Sequence, residues 1–357
     1  MSLNGNNDQR LAIAGAITYP GRSASNAQPT LQQPRQPRSL QGLLHFAMEA
    51  TKAEDAPGNS QLTPMDEERR RFLEEALKSI TVDVAKVLQD AIVILTNTEK
   101  IRSIKSGQPL PDDVAVSFNN LMEYVDDIDI ANDFYKIGGF AVFAVCYGSE
   151  NEEVRAHASG LLGDLCQNNP FCQAKVMECG LLNILLNLVQ SETGEALTKC
   201  LYALSCATRE CPAAGRELVA QGGCASLCRA LGAARAASRA KAAFLVRYLC
   251  HHYSHAKEQF IDHNVVKILA EQIKVGRDET SEHLLSVLVS LIEDCDVTVL
   301  QQCRDPALGL KHILEHHLQL PELQDDRFAE EKEYCQKILR TVFDNFPRDT
   351  VEDVVDR

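Results

Sequence analysis

The sequence predicts an all-α protein: an armadillo-like right-handed superhelical solenoid with helical caps and a disordered N-terminal tail. Two observations carry this prediction. Helix-breaking residues recur every 42 positions, and columns of apolar residues on both sides of the breaks keep the same interval through four units without insertions. Self-similarity at this period is typical of armadillo and HEAT arrays, in which a single unit cannot bury its apolar face alone. The breaks stand at Gly138, Gly180, Gly222 and Asn264.

The part of the chain before the repeats falls into three segments. Residues 1–38 are rich in Asn, Gln, Ser, Gly and Pro, and this composition cannot bury enough apolar surface to offset the chain entropy, so we expect disorder. Residues 39–62 are predicted to form a short apolar helix and a linker. Residues 63–116 are predicted to form an N-terminal helical cap, because they begin with the helix start Thr63–Pro64 and their apolar positions have no partners at the 42-residue spacing.

Residues 117–318 are predicted to form the armadillo-like repeats, with three helices in each. The first helix of a repeat is short and ends at the glycine column, because Gly and Asn tolerate the left-handed backbone conformation that ends a helix. The third helix is the longest, and three helices in a unit of this length favour armadillo over HEAT. After Cys303 the apolar positions leave the 42-residue register, so residues 319–357 are predicted to form a C-terminal capping helix and tail.

Charge and composition argue against several kinds of partner. A formal net charge of −14 on 357 residues disfavours a nucleic-acid partner, because phosphate contacts need a basic face. No run reaches the ~18 apolar residues that a membrane span requires, so no membrane partner is expected. The 13 cysteines are an odd number, and most lie inside apolar helical runs. Free thiols in such positions indicate a reducing compartment, so we expect the protein in the cytoplasm or the nucleus.

The sequence offers no motif for catalysis. No phosphate-binding loop, nucleophile elbow or dinucleotide fingerprint occurs. His251 and His255 lie four apart on a predicted helix, as two metal ligands would, and so do His312 and His316. Cationic histidines also suit the end of a helix through its dipole, and no acidic or cysteine pair with ligand spacing lies nearby, so a metal site is the less favoured alternative. We predict that the protein is not an enzyme and needs no cofactor.

The third helices provide the candidate binding surface. In armadillo arrays they line the concave side, so the side chains that they hold away from the core form a groove. Two aromatic residues beside a lysine on one such stripe, Lys241, Phe244 and Tyr248, are typical of an interface hot spot. A solvated groove with no partner is the alternative, because solenoids expose such surfaces by construction. With the 42-residue step, the candidate partner-binding residues are His157, Asp164, Lys199, Tyr202, Arg209, Lys241, Phe244, Tyr248, His251 and His283.

The groove lacks the residues that grip an extended peptide. Armadillo proteins of the importin-alpha and beta-catenin type carry a ladder of Asn on the third helices, with Trp one turn before. The corresponding positions here are Asp164, Cys206, Tyr248 and Ser290, and the chain contains no Trp. We therefore expect a folded partner on the concave face.

Four segments carry a family resemblance: RSLQGLLHFAM at 38–48, PMDEERRRFLEEAL at 64–77, KAAFL at 241–245 and CRDPALGL at 303–310. In this order they resemble the cytosolic heat-shock-protein-70-binding family of armadillo-type nucleotide-exchange factors, and the likeness extends over residues 38–346. The resemblance implies that the concave face embraces one lobe of the nucleotide-binding domain of a cytosolic 70-kDa heat shock chaperone. In that family the embrace is incompatible with a closed nucleotide cleft, so that ADP leaves, ATP enters and the client is released.

The resemblance also implies a role for the N-terminal tail. In that family a flexible N-terminal segment occupies the substrate site of the chaperone, and an apolar patch with Leu11, Ile13 and Ile17 suits this role; a stray apolar patch is the alternative. We expect a monomeric co-chaperone. The rival function is an armadillo scaffold or adaptor that regulates chaperone-linked ubiquitination and has no exchange activity.

Overall fold

The computed structural model describes residues 83–294 and 296–344, together with Glu67, Arg70 and Arg71. The chain divides into two compact units, residues 1–82 and residues 83–357, and the helices named below belong to the second. Every regular element in the described residues of the second unit is helical, so the predicted all-α class is confirmed. The predicted tail at 1–38 and the predicted helix and linker at 39–62 lie outside the described residues.

Six successive sets of three helices, here called repeats 1 to 6, make up the described part of the second unit. In each repeat the third helix packs against the third helix of the next repeat. Two 3₁₀ helices, Pro321–Gln324 and Asp326–Phe328, precede the last helix, and a π-helix at Arg340–Asp344 follows it. The repeats are α1 (Val84–Leu95), α2 (Thr98–Ser103) and α3 (Asp112–Tyr124); α4 (Ile128–Lys136), α5 (Ala141–Cys146) and α6 (Glu152–Cys166); α7 (Pro170–Glu178), α8 (Leu181–Ser191) and α9 (Gly194–Thr208); α10 (Pro212–Ala220), α11 (Gly223–Leu231) and α12 (Ala236–His252); α13 (Ser254–Asp262), α14 (Val265–Val275) and α15 (Ser281–Ile292); and α16 (Val297–Cys303), α17 (Leu310–Leu318) and α18 (Ala329–Leu339).

The glycine column adopts the predicted left-handed backbone. The φ angle is 88° at Gly138, 68° at Gly180, 78° at Gly222 and 57° at Asn264. An L-residue with a Cβ atom is strained in this conformation, by roughly 1–2 kcal/mol, whereas Gly and to a lesser extent Asn adopt it at low cost. The left-handed residue lets the chain turn sharply between the first and second helices, by 81° between α7 and α8.

The repeats extend beyond the predicted boundaries at both ends. The boundary at residue 116 falls within α3, and α1 to α3 occupy positions 42 residues before α4 to α6. The left-handed signal is missing in repeat 1, because Thr96 stands in the glycine column with a φ of −91°. In repeat 6, Gly309 has a φ of 60° but stands 45 residues after Asn264, so an insertion of three residues moves this repeat out of register. The predicted C-terminal capping helix is α18, which packs on α15 as the third helix of repeat 6.

The core is a continuous aliphatic layer inside the stacked repeats. The column Phe134, Val176, Leu218 and Phe260 is fully buried, and so is the column Leu162, Leu204, Val246 and Leu288. Burying one such side chain stabilises the fold by about 1.5–3 kcal/mol. Among the described residues no single helix is both long and apolar enough to cross a membrane; α7 and α8 meet that criterion only as a bent pair.

Ion pairs link neighbouring repeats. Arg155 on α6 donates to the carboxylate of Glu192, just before α9, and to the carbonyl of Ser149 at 2.7 Å. The hydrogen bond to Glu192 raises the pKa of Arg155. Arg239, 84 residues later, repeats the arrangement by donating to Asp278 of the following repeat. Arg155, Glu192 and Arg239 are largely shielded from water and Asp278 is 39% exposed, so the Arg155 pair is the better shielded of these two contacts between one repeat and the next.

Candidate partner-binding groove

Two adjoining hollows lie along the third helices. The first, about 540 Å³, lies among the loop between α6 and α7, α7 itself, α9 and α12, and Tyr202 and Lys241 line it. The second, about 450 Å³, lies among α9, α12, α15 and α18, and Tyr248 and His251 line it. Phe244 lines both hollows, and its side chain is 54% exposed. We call the surface that lines these two hollows the third-helix groove.

Tyr202 is held in place by α6. Its Oη lies 2.9 Å from Asp164 Oδ1 and 3.0 Å from Gln167 Oε1, so the hydroxyl donates to this polar pair. Gly163 makes room for the ring, because a Cβ atom at that position would lie 2.4 Å from Tyr202 Cε1. Burial raises the pKa of Asp164 and also raises the pKa of Tyr202. The tyrosine therefore stays protonated and presents one side of its ring to the groove.

A basic side chain occupies the same position on four consecutive third helices, and each packs on the residue 39 positions earlier. The His157 ring stacks on Phe118 with centroids 5.2 Å apart, and the His283 ring packs on Phe244 at 4.7 Å. Lys241 Nζ lies 5.1 Å above the centre of the Tyr202 ring. In the remaining step the residue on the earlier helix is Gly160: Lys199 Cδ lies 3.7 Å from the position that a Cβ atom would take there. We call His157, Lys199, Lys241 and His283 the basic ladder.

Tyr248 supports a strained loop at the edge of the groove. Its hydroxyl oxygen accepts a hydrogen bond of 3.0 Å from the backbone N–H of Glu210, which has a φ of 59°. Asn168, 42 residues earlier, has a φ of 52°, and both residues line the first hollow. A non-glycine residue in this region costs roughly 1–2 kcal/mol, so the tyrosine helps to hold the loop between α9 and α10 in shape.

The structure brings most of the predicted residues together. Tyr202, Arg209, Lys241, Phe244, Tyr248 and His251 line the hollows. Asp164 and His283 contact that set through Tyr202 and Phe244. His157 and Lys199 lie on the same stripe but do not line either hollow. The tail residues Leu11, Ile13 and Ile17 lie outside the described residues.

Several residues that line the groove were not predicted from the sequence pattern. Arg247 is exposed and lines the second hollow, but the 42-residue step relates it to Ser205 and Val289, so its column is not basic. Tyr334 and Lys337 reach the second hollow from α18. They could not be found by the 42-residue step because repeat 6 is out of register.

The groove combines apolar, basic and hydrogen-bonding side chains. Within the described part of the chain, no group of three or more His, Cys, Asp or Glu side chains could hold a metal ion. Cys206 lines the first hollow, but burial raises the pKa of its thiol, which disfavours a nucleophilic thiolate. The 12 cysteines that the structure describes are all free thiols. The arrangement can contribute apolar contact, cations and hydrogen bonds to a partner.

The chain is similar to several known proteins. It is 28% identical to "Hsp70-binding protein 1" of Rattus norvegicus over 330 residues, which is 89% of this chain and 90% of that protein. It is 27% identical to "Hsp70 nucleotide exchange factor FES1" of Mycosarcoma maydis over 147 residues, or 41% of this chain and 38% of that protein. A crystal structure of computationally designed armadillo repeat proteins for modular peptide recognition matches 70% of this chain and 99% of its own, with a TM-score of 0.53 and 14% identity. The armadillo-like fold is thereby confirmed.

Two family models match consecutive parts of the sequence. The model of the nucleotide exchange factor Fes1 matches residues 40–134, and the model of the SIL1/FES1/HPBP1 C-terminal domain matches residues 130–238. Together they span more than half of the chain. With the likeness to the Hsp70-binding protein along nearly the whole length, they show that the chain belongs to the SIL1/FES1/HPBP1 family of nucleotide exchange factors.

Proposed function

We propose that this protein is a nucleotide exchange factor, a co-chaperone of the cytosolic 70-kDa heat shock protein. The third-helix groove clasps the nucleotide-binding domain of the chaperone, promotes the release of ADP and, after ATP has bound, the release of the client. The observation that carries the proposal is the match of residues 40–134 to the Fes1 exchange-factor model, joined to the likeness to Hsp70-binding protein 1 over 89% of the chain.

The geometry of the third-helix groove supports a folded partner. Four steps between neighbouring third helices lead from α6 to α18, and packed helices lie about 8–10 Å apart, so the face is roughly 30–40 Å long. That is about the diameter of a small domain. Phe244 protrudes near its middle, and an exposed aromatic side chain flanked by cations is a typical anchor for a protein interface.

Exchange activity requires a difference in affinity between two states of the chaperone. If the protein binds the open nucleotide-binding domain more tightly than the closed one, it weakens ADP binding, and ADP weakens its own binding by the same factor. Allosteric couplings of this kind are typically about 1–3 kcal/mol, or about 5- to 150-fold in affinity. The effect of this protein on ADP affinity and the effect of ADP on the affinity for this protein therefore measure the same coupling free energy.

The test is the release of a fluorescent ADP analogue from the purified chaperone, followed by stopped flow. We expect the release rate to rise with the concentration of this protein and to saturate, and ADP to weaken the complex in a binding assay. Unchanged release from a complex that forms normally would leave the protein as a scaffold without exchange activity. The control is the chaperone alone at the same nucleotide concentration.

The N-terminal tail is proposed to act at a second place on the chaperone. The apolar side chains Leu11, Ile13 and Ile17 would occupy the substrate site and help to expel the client. Deletion of residues 1–38 should then slow client release and leave ADP release unchanged. Equal client release with and without these residues would remove the tail from the mechanism. We propose that the protein acts as a monomer in the cytosol or the nucleus. In these compartments cysteine thiols stay reduced.

A further inference from the structure

The two lysines of the basic ladder have no acidic partner among the described residues, whereas His157 Nε2 lies 4.0 Å from Glu153 Oε1. Lys199 and Lys241 have no carboxylate within ion-pair distance among the described residues, and neither do Arg209 and Arg247 beside them. The chain nevertheless has 50 acidic and 36 basic side chains. Cations at the junctions between repeats do find partners: Arg155, Arg235, Arg239, Lys257 and Lys337 all pair with carboxylates.

We propose that the basic ladder docks a row of carboxylate side chains on the folded surface of the partner, so that the partner's contact face is acidic. The identity of that partner, the nucleotide-binding domain of the chaperone, rests on the proposed function. Neighbouring rungs lie on neighbouring third helices, about 8–10 Å apart, which defines the spacing of the carboxylates that the ladder can meet.

The packing of the rungs prepares them for binding. Lys241 lies over the Tyr202 ring, and Lys199 lies along the gap that Gly160 leaves, so both stems rest on the preceding helix. Both lysines are half-buried. A side chain that is already ordered loses less conformational entropy when it meets a carboxylate. The flanking rungs His157 and His283 rest on Phe118 and Phe244 in the same way and offer ring N–H groups.

Acidic side chains on the same face do little to neutralise the ladder. Asp164 accepts a hydrogen bond from Tyr202, and burial raises the pKa of its carboxyl. Glu293 pairs with Lys337 at 3.1 Å. Glu210 is the exposed acid that lines the first hollow. The face therefore carries an excess of positive charge on a molecule whose formal net charge is −14.

A protein surface fits this charge distribution better than a nucleic acid does. The phosphates of a nucleic acid that extends past the basic ladder would be repelled by the negative charge on the rest of the protein. A folded protein partner can confine its carboxylates to the surface that contacts the ladder. Phe244 also supplies apolar contact of the kind that protein interfaces use.

The experiment compares two double variants with the same change in net charge. Lys199→Glu with Lys241→Glu reverses the two central rungs. Lys267→Glu with Lys274→Glu reverses two exposed lysines on α14, outside the third-helix groove. The association rate constant with the nucleotide-binding domain is measured at about 50 mM and about 300 mM salt, and circular dichroism melting shows that both variants fold.

We expect the ladder variant to associate about tenfold or more slowly than the wild type at low salt, with a smaller difference at high salt. The α14 variant should stay within about twofold of the wild type, since it lies outside the interface. Association of the ladder variant at the wild-type rate, while the wild type accelerates ADP release, would overturn this inference and leave the proposed function standing.

A second probe does not depend on the chaperone. Fluorescence anisotropy is used to titrate the protein into labelled polyglutamate and into single-stranded DNA of equal charge, both at low salt. The inference requires that the wild type binds polyglutamate and that Lys199→Glu with Lys241→Glu abolishes this binding. The inference would be overturned if neither the wild type nor the variant bound polyglutamate, or if the wild type bound the DNA more tightly than polyglutamate. Failure of ADP release together with intact polyglutamate binding would instead count against the proposed function alone.

Discussion

Replacement of Phe244 by alanine should weaken partner binding without unfolding the array. A phenylalanine side chain has about 200 Å² of surface to bury, so an exposure of 54% leaves about 110 Å² for a partner to cover. At about 25 cal/mol per Å², burial of that area contributes about 2.7 kcal/mol. The dissociation constant for the nucleotide-binding domain should therefore rise about a hundredfold if the interface covers the ring completely.

Isothermal titration calorimetry with the nucleotide-binding domain gives this constant, and thermal melting reports the fold. Because the Phe244 side chain is 54% exposed and its ring packs on the His283 ring at the surface, the melting temperature should fall by no more than about 4 °C. Val275→Ala is the control, since Val275 is 86% exposed at the end of α14 and does not line the groove. A dissociation constant for Phe244→Ala within about twofold of the wild type would refute the placement of the interface on the third-helix groove.

Three further predictions concern α6. Gly163→Ala should lower the free energy of unfolding, measured in urea, by about 1–3 kcal/mol, because the new Cβ atom would collide with the Tyr202 ring. Gly160→Ala should be neutral or stabilising by up to about 1 kcal/mol, because its Cβ atom would lie at an ordinary contact distance of 3.7 Å from Lys199 Cδ. Equal effects of the two substitutions would contradict the close packing at Gly163. Arg155→Ala should cost about 3 kcal/mol in the same assay, because it leaves the Glu192 carboxylate shielded and unpaired, and a loss under about 1 kcal/mol would show that water reaches this pair. Asp164→Asn should stabilise the protein at pH 7, because folding raises the pKa of Asp164 and its charged form therefore disfavours the folded state; the gain should shrink as the pH falls from the raised folded-state pKa toward the unfolded-state value of about 4, and be absent below it, where both states are protonated, so that a gain independent of pH would exclude this cause.

The repeat period could be predicted because it depends on local backbone conformation. A left-handed residue follows the first helix in repeats 2 to 6, and the residues that accept this conformation, such as Gly180 and Asn264, are visible in the sequence. The first and last repeats could not be found in this way. Thr96 takes the place of the glycine with an ordinary negative φ, and three extra residues shift Gly309. In both repeats the tertiary packing is kept, although repeat 1 lacks the left-handed residue and repeat 6 lacks the 42-residue spacing.

The candidate groove could be predicted in part. The 42-residue step keeps a position on the same side of successive third helices, so the sequence groups Tyr202, Phe244 and Lys241 correctly. It does not show which side chains meet across two helices, because that depends on how closely the helices approach and on how far each side chain leans. The 39-residue relation of Lys241 to Tyr202 and of His283 to Phe244 is a property of packing and appears only in the structure.

The pair of glycines on α6 has a mechanical consequence. Gly160 and Gly163 let Lys199 and Tyr202 lie close against α6, and α6 and α9 make the most extensive contact of any two helices in the described residues. The Arg155 ion pair spans the same junction. A solenoid that closes around a folded partner has to bend, and the bending concentrates at the junctions between repeats that are least tightly packed. We therefore expect α6 and α9 to move as one stiff element, while the array opens and closes at the junctions on either side of them.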